Sequence, residues 1–163
     1  MTFDWIVYVC LAAGVATGLV AGVFLTFSDF MMKSLTDIPG AHAVSAMTAV
    51  NRRVYGSVFL GLFLGMAAVA ALMVPYAAFA LQGAAALWIA VGGTLYLAGA
   101  FAVTVAVNVP MNKRLDRQAK LPDSDAYWRH YAARWTQWNH VRTLASAGAS
   151  VCLLCGALVL GAS

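Results

Sequence analysis

The sequence predicts an all-α membrane protein, a four-helix transmembrane bundle, and three observations predict it. Of its 163 residues 63% are hydrophobic and 10% charged, whereas a soluble domain carries charge at roughly a quarter of its positions. A surface so poor in charge is solvated by lipid. Four apolar runs, residues 4–27, 56–78, 84–107 and 141–161, each supply the about 20 residues that a helix needs to cross a ~30 Å hydrocarbon core. Backbone in lipid must satisfy its own hydrogen bonds, which selects helices. Lastly, the basic residues collect in or at the mouths of two connections, Lys33, Arg52 and Arg53 in one and Lys113, Arg114, Arg117, Lys120, Arg129, Arg134 and Arg142 in the other. Length and composition together indicate one domain over 1–163.

The first run starts Met1-Thr2-Phe3-Asp4-Trp5, without a basic n-region, and is too long for a signal h-region, so it is expected to stay as a helix. Gly14, Gly18 and Gly22 form a small-residue stripe suited to close helix packing, within the bundle or as a homo-oligomer contact. The 28–55 connection holds an amphipathic helix over 41–54. At about 100° per residue Val44, Met47, Val50 and Val54 share a face with Asn51, and Arg52 and Arg53 fall off it. An unpaired amide in an apolar layer costs on the order of 1–3 kcal/mol, so Asn51 requires either an interhelical hydrogen bond or a ligand. Gly61 and Gly65 thin the second span, Gly92, Gly93 and Gly99 the third, and all are read as sites of tight packing.

The third span ends at Asn108-Val109-Pro110-Met111-Asn112. In the following connection, Tyr127, Trp128, Tyr131, Trp135 and Trp138 fall within one arc of a short helix expected to fold back under the bundle, with Asp123 or Ser124 capping its start. Such an arc suits an interfacial aromatic belt or a flat aromatic ligand. The fourth span opens on Asn139-His140-Val141-Arg142-Thr143. An unbroken helix puts Asn139 and Arg142 beside the arc and His140 on the opposite side with Arg129. A break near Thr136–Asn139 would change this. Ser146 and Ser150 give the last span a small polar stripe, and Cys10, Cys152 and Cys155, all in apolar runs, behave as small hydrophobes.

With four spans the 28–55 and 108–140 connections share a side. The positive-inside rule makes that side cytoplasmic and both termini external. The two hairpins also echo each other. Met31-Met32-Lys33-Ser34-Leu35 and Met111-Asn112-Lys113-Arg114-Leu115 each precede an amphipathic segment and an Asn beside a basic residue, Asn51-Arg52 and Asn139-His140-Val141-Arg142. Two repeated hairpins related by an axis along the membrane normal would give this pattern.

Several functions find no support. There is no aromatic-interleaved basic motif for nucleic acid, no phosphate loop and no nucleophile elbow. His42, His130 and His140 lack ligand spacing and the chain has no Glu, so no metal site is expected. Asp29, at the end of the first span, is expected to pair with Arg52 or Arg142 or to serve in catalysis.

The stretches Phe27-Ser28-Asp29-Phe30-Met31, Asn51-Arg52, Asn108-Val109-Pro110-Met111-Asn112 and Trp135-Thr136-Gln137-Trp138-Asn139-His140-Val141-Arg142-Thr143 resemble the anthrone oxygenase-like family of small membrane proteins over nearly the whole chain. The resemblance implies oxidation of an anthrone to an anthraquinone by O₂ as co-substrate, without an evident cofactor. That chemistry needs a base, for which His140 and Asp29 are candidates. It needs donors to an oxyanion and an aromatic slot, for which Asn51, Arg52, Asn108, Asn112, Asn139 and Arg142 and the rings of Trp135 and Trp138 are candidates. Two other readings remain open at the level of sequence. One is a binding or transport module for a small hydrophobic molecule, and the other an accessory subunit of a membrane complex. Expected partners are the lipid bilayer and a small hydrophobic or aromatic molecule, not nucleic acid.

Overall fold

The computed structural model describes residues 4–118 and 124–162, and of Asp4, Ser124 and Asp125 the backbone alone. The expected Asp123 or Ser124 cap therefore lies outside the described residues and side chains. The described residues form five helices: α1 (4–36), α2 (Gly40–Arg53), α3 (Val58–Ala80), α4 (Gly83–Gln118) and α5 (Ser124–Gly161). All but α2 are long and apolar enough to cross a membrane, and each holds all or nearly all of one of the four apolar runs. Leu72, Phe79 and Leu158 stand exposed on the outside of these spans, as lipid-facing side chains should.

Three of the spans are longer than their apolar runs, and α3 is its expected run shifted by two residues. Helix α1 continues past its run to Thr36, α4 to Gln118, and α5 starts 17 residues ahead of its apolar part at Ser124. The amphipathic segment of the second connection is thus no separate helix folding back under the bundle. It is the end of α4 and the start of α5. Only the first connection holds an independent amphipathic helix, α2, entered through Pro39 in an extended conformation.

Two cores result. The membrane core joins Cys10, Val20, Phe24, Phe63, Ile89, Tyr96 and Leu153 from all four spans. A second core at the basic end packs Met32, Val44, Met47, Leu115, Trp128, Tyr131 and Trp135. Helix α5 is the hub of both: α1 and α4 pack chiefly on it, α3 packs on α4, and α1 meets α3 only sparsely. The small residues explain the close approaches. A Cβ on Gly14 would stand 2.7 Å from Leu154 of α5, and the Ser150 hydroxyl donates to the Gly14 carbonyl at 2.7 Å. A Cβ on Gly92 would meet Cys152 at 3.0 Å, and one on Gly93 would meet Val74 at 2.5 Å. Gly14 and Gly18 thus face α5 within the chain, while Gly22, Gly61 and Gly65 meet nothing within 4 Å. For the last two the expectation of tight packing is corrected, because α3 turns them outward.

Two of the long helices are re-phased in their halves toward the basic end. In α1, Phe27–Met31 forms a π turn, with the Met32 N–H reaching back to the Phe27 carbonyl. In α4, π turns occupy Tyr96–Ala102 and Thr104–Asn108, just ahead of Pro110. Proline offers no N–H and crowds the carbonyl one turn earlier, and a widened turn relieves that conflict. Each inserted residue rotates the rest of its helix by about 100°.

Candidate functional site

At the basic end, where α1 and α3 diverge, a cavity of about 500 Å³ opens between all five helices. That is ample for a small polycyclic ligand. Its walls are mainly apolar: Phe24 and Phe27 from α1, Met47 and Val50 from α2, Phe59 and Phe63 from α3, and Trp135 from α5. Phe59 and Phe63 stack at 6.0 Å with an interplanar angle of 18°, and Phe27 tilts against Trp135. The polar lining is sparse and convergent, with Asn51, Arg53, Thr104, Asn108, Asn112 and Arg142 among it.

Arg142 is 5% exposed. Its guanidinium carbon lies 4.4 Å from the Phe24 ring centre and 4.9 Å from that of Trp135, a cation held between two π faces. One terminal nitrogen donates to Asn139 Oδ1 at 2.5 Å and the other to Thr104 Oγ1 at 3.3 Å, while Nε is buried without an acceptor. No carboxylate reaches it among the described residues. Those acids that pair do so elsewhere: Asp29 with Lys33 at 4.0 Å and Asp116 with Arg52 at 2.6 Å. The expected pairing of Asp29 with Arg52 or Arg142 is therefore corrected. Asp29 points outward one helical turn from Lys33, and Arg52 finds its acid on α4.

Asn139 is what holds Arg142 in place. Fully buried, it donates from Nδ2 to the Phe24 carbonyl and to Ser28 Oγ, both at 2.7 Å, and accepts from Arg142. Its polar atoms are thus bonded to protein, across the junction where the π turn of α1 begins. Ser28 lies 3.2 Å from the Thr143 hydroxyl, which donates to the Asn139 carbonyl. Asn139 supports the cavity without lining it.

Two other asparagines face the space. Asn112 Oδ1 accepts from the Tyr131 hydroxyl and from Trp135 Nε1, both at 2.9 Å, which fixes the amide so that Nδ2 is the group left over. Asn108 is 1% exposed, lines the cavity, and has no partner for either Nδ2 or Oδ1. Asn51 Nδ2, near the Tyr131 hydroxyl, likewise has no partner in bonding geometry. An unpaired buried amide costs on the order of 1–3 kcal/mol, which a bound molecule would offset.

Of the residues singled out from sequence, Asn51, Asn108, Asn112, Trp135 and Arg142 converge here. Five do not line the cavity. His140 sits in a groove on the other side of α5 with Lys33, Asp37 and Arg129. An unbroken helix sets residues two apart about 200° apart, and α5 has no break at 136–139. Asp29 is exposed on α1, Arg52 points to an adjoining cleft, Trp138 lies outside the wall, and Asn139 is buried behind it. Most of the aromatic arc is core: Trp128 and Tyr131 pack against Met32, Val44, Met47 and Leu115. Sequence reasoning missed the phenylalanines. The Phe24/Phe27 and Phe59/Phe63 pairs, at helical spacing near the basic mouths, were the available signal. Among the described residues no three His, Cys, Asp or Glu side chains gather as a metal-ligand set.

A sequence model described as anthrone oxygenase matches residues 52–152, well over half of the chain, taking in α3, α4 and most of α5. Neither a curated protein nor a solved structure gives a match. The chain belongs to the anthrone oxygenase family.

Proposed function

We propose that this member of the anthrone oxygenase family binds a flat, lipophilic aromatic ketone in the cavity at its basic end and oxidises the benzylic methylene to a carbonyl with O₂. On this reading the basic end faces the cytoplasm. The observation that carries the proposal is Arg142, a buried cation between two aromatic faces with no carboxylate partner among the described residues. A desolvated charge of that kind is costly, and an anion formed beside it offsets the cost.

A tricyclic anthrone-type ketone supplies such an anion. Loss of one methylene proton gives an enolate whose charge rests largely on the ketone oxygen and whose central ring becomes aromatic. Arg142 and the free amide groups of Asn108 and Asn112 favour the charged form over the neutral ketone, and the dry walls strengthen that preference. The electron-rich ring carbon then forms a C–O bond to O₂, and the peroxide takes up a proton. The second methylene hydrogen leaves as a proton while the O–O bond breaks. One oxygen atom stays as the new carbonyl and the other departs in water, so one O₂ takes up four electrons from the substrate. Among the described residues no carboxylate or imidazole lines the cavity, and on this reading the first proton goes to water at the mouth rather than to His140 or Asp29.

Oxygen uptake and quinone absorbance with an anthrone, on protein in lipid nanodiscs, test this. Arg142→Gln is expected to lower kcat/KM by about 10²–10³, the usual effect of removing an oxyanion donor, and Arg142→Lys to recover only part of it. His140→Ala and Asp29→Asn should turn over at close to the parent rate. A folded Arg142→Gln protein of undiminished activity would overturn the proposal.

A further inference from the structure

Beside the aromatic cavity lies a second cleft of about 380 Å³. Asn51, Tyr55 and Asn112 belong to the walls of both, so a molecule seated in the first can extend into the second. The remaining walls have the opposite chemistry. They are Thr48 and Arg52 of α2, and Lys113, Asp116 and Arg117 of the α4 extension.

Three basic side chains here face one acid. Arg52 and Asp116 pair with each other at 2.6 Å, and neither Lys113 nor Arg117 forms an ion pair with a described residue. Charges at a membrane surface are usually just solvated, and solvation would account for these two cations. It does not account for Thr48. Five other helical threonines, at positions 17, 26, 36, 104 and 143, donate their hydroxyls to the carbonyl four residues back. Thr48 is 7% exposed, its hydroxyl has no partner, and it lines the cleft. With Asn51 Nδ2, which also has no partner among the described residues, it sets two buried polar groups behind two cations that pair with no described acid. Every one of these four groups can donate a hydrogen bond, and such a set matches the oxygens of an anion.

We propose that this cleft is a subsite for a carboxylate carried on the edge of the aromatic molecule, so that the ligand is a lipophilic ring ketone that also bears an acid group. The inference rests on the reading of the neighbouring cavity as a ring-binding pocket. The rings lie against Trp135, Phe27 and Phe59 while the carboxylate meets Lys113, Arg117, Asn51 and Thr48. The cleft then selects among ring systems that the apolar cavity alone would accept alike.

The test uses the full chain in nanodiscs of neutral lipid and two fluorescent probes, anthracene-2-carboxylate and its neutral carboxamide. Both should bind the parent protein. The Lys113→Gln/Arg117→Gln double variant should weaken the acid by about five- to tenfold, the range for two partly exposed ion pairs. It should alter the amide by less than about twofold, as surface changes do. Rising salt should erase the difference between the probes. Equal effects of the double variant on acid and amide, or none on either, would overturn the subsite and leave the cavity reading standing. Failure of both probes to bind the parent protein would overturn the two readings together.

Discussion

At two places a helix from the basic end feeds into a membrane span, and the sequence marks both in the same way, with an Asn beside basic residues. After Asn51 the chain breaks. Val54–Gly56 forms a 3₁₀ turn, Ser57 is extended (φ −95°, ψ 151°), and its side chain accepts from the Leu60 N–H at 3.2 Å to start α3 afresh. After Asn139 it does not break, and α5 runs through as one helix of 38 residues. The consequences diverge. The break leaves α2 lying against the second core and turns Asn51 toward open space. The unbroken helix drives Asn139 and Arg142 down into packed protein, where Asn139 bonds α1 and Arg142 reaches the cavity from behind. One local choice, to stop or continue a helix, makes one asparagine a wall of the cavity and the other a strut.

That contrast can be broken experimentally. The largest effect is expected at Asn139. Asn139→Ala leaves the Phe24 carbonyl and a buried guanidinium short of a partner, at a cost of about 3–5 kcal/mol, read as a steep fall in thermal midpoint in detergent. Asn51→Ala should stay within about 1 kcal/mol of the parent and weaken ligand binding alone. Equal destabilisation by the two would end the distinction between wall and strut. Smaller effects separate the faces of the two hairpins. A Cβ on Gly99 of α4 runs into that of Ala145 on α5, whereas one on Gly61 of α3 meets nothing within 4 Å. Gly99→Ala should therefore cost about 1–3 kcal/mol and Gly61→Ala close to nothing in the same melting experiment. A local change is expected at the break itself. Ser57→Ala removes the cap of α3 at about 1 kcal/mol, and hydrogen exchange at Val58–Leu60 should rise while the start of α5 stays protected.

Much of the fold was legible because its causes are compositional. A lipid-solvated helix must be apolar for its whole crossing, and a topology that gathers positive charge at one end leaves that charge visible in the chain. The convergence of Asn51, Asn108, Asn112, Trp135 and Arg142 was legible for a related reason, since polar groups at one membrane depth have few places to go. Helical phase was harder to read. The π turns at Phe27–Met31 and Thr104–Asn108 shift every later side chain by about 100°, and no residue pattern announces them apart from Pro110. Burial depth was harder still. An arc of five aromatics looks alike whether it lines a cavity or fills a core, and here Trp128 and Tyr131 went to the core because Leu115 and Met47 stood opposite them. His140 was attractive by type and by its place at the mouth of the fourth span. Its place was decided by the continuity of α5, a property of the helix as a whole.

The position of Trp135 has an optical consequence. Its indole N–H is tied to Asn112, and the guanidinium of Arg142 lies 4.9 Å from its ring centre. The excited indole is a large dipole, so its emission colour follows the electric field across the ring. An anion settling beside Arg142 cancels much of that field. On the proposed chemistry Trp135 is thus an unlabelled internal gauge of charge in the cavity, one that would register the enolate as it forms beside Arg142 and not the carboxylate in the neighbouring cleft.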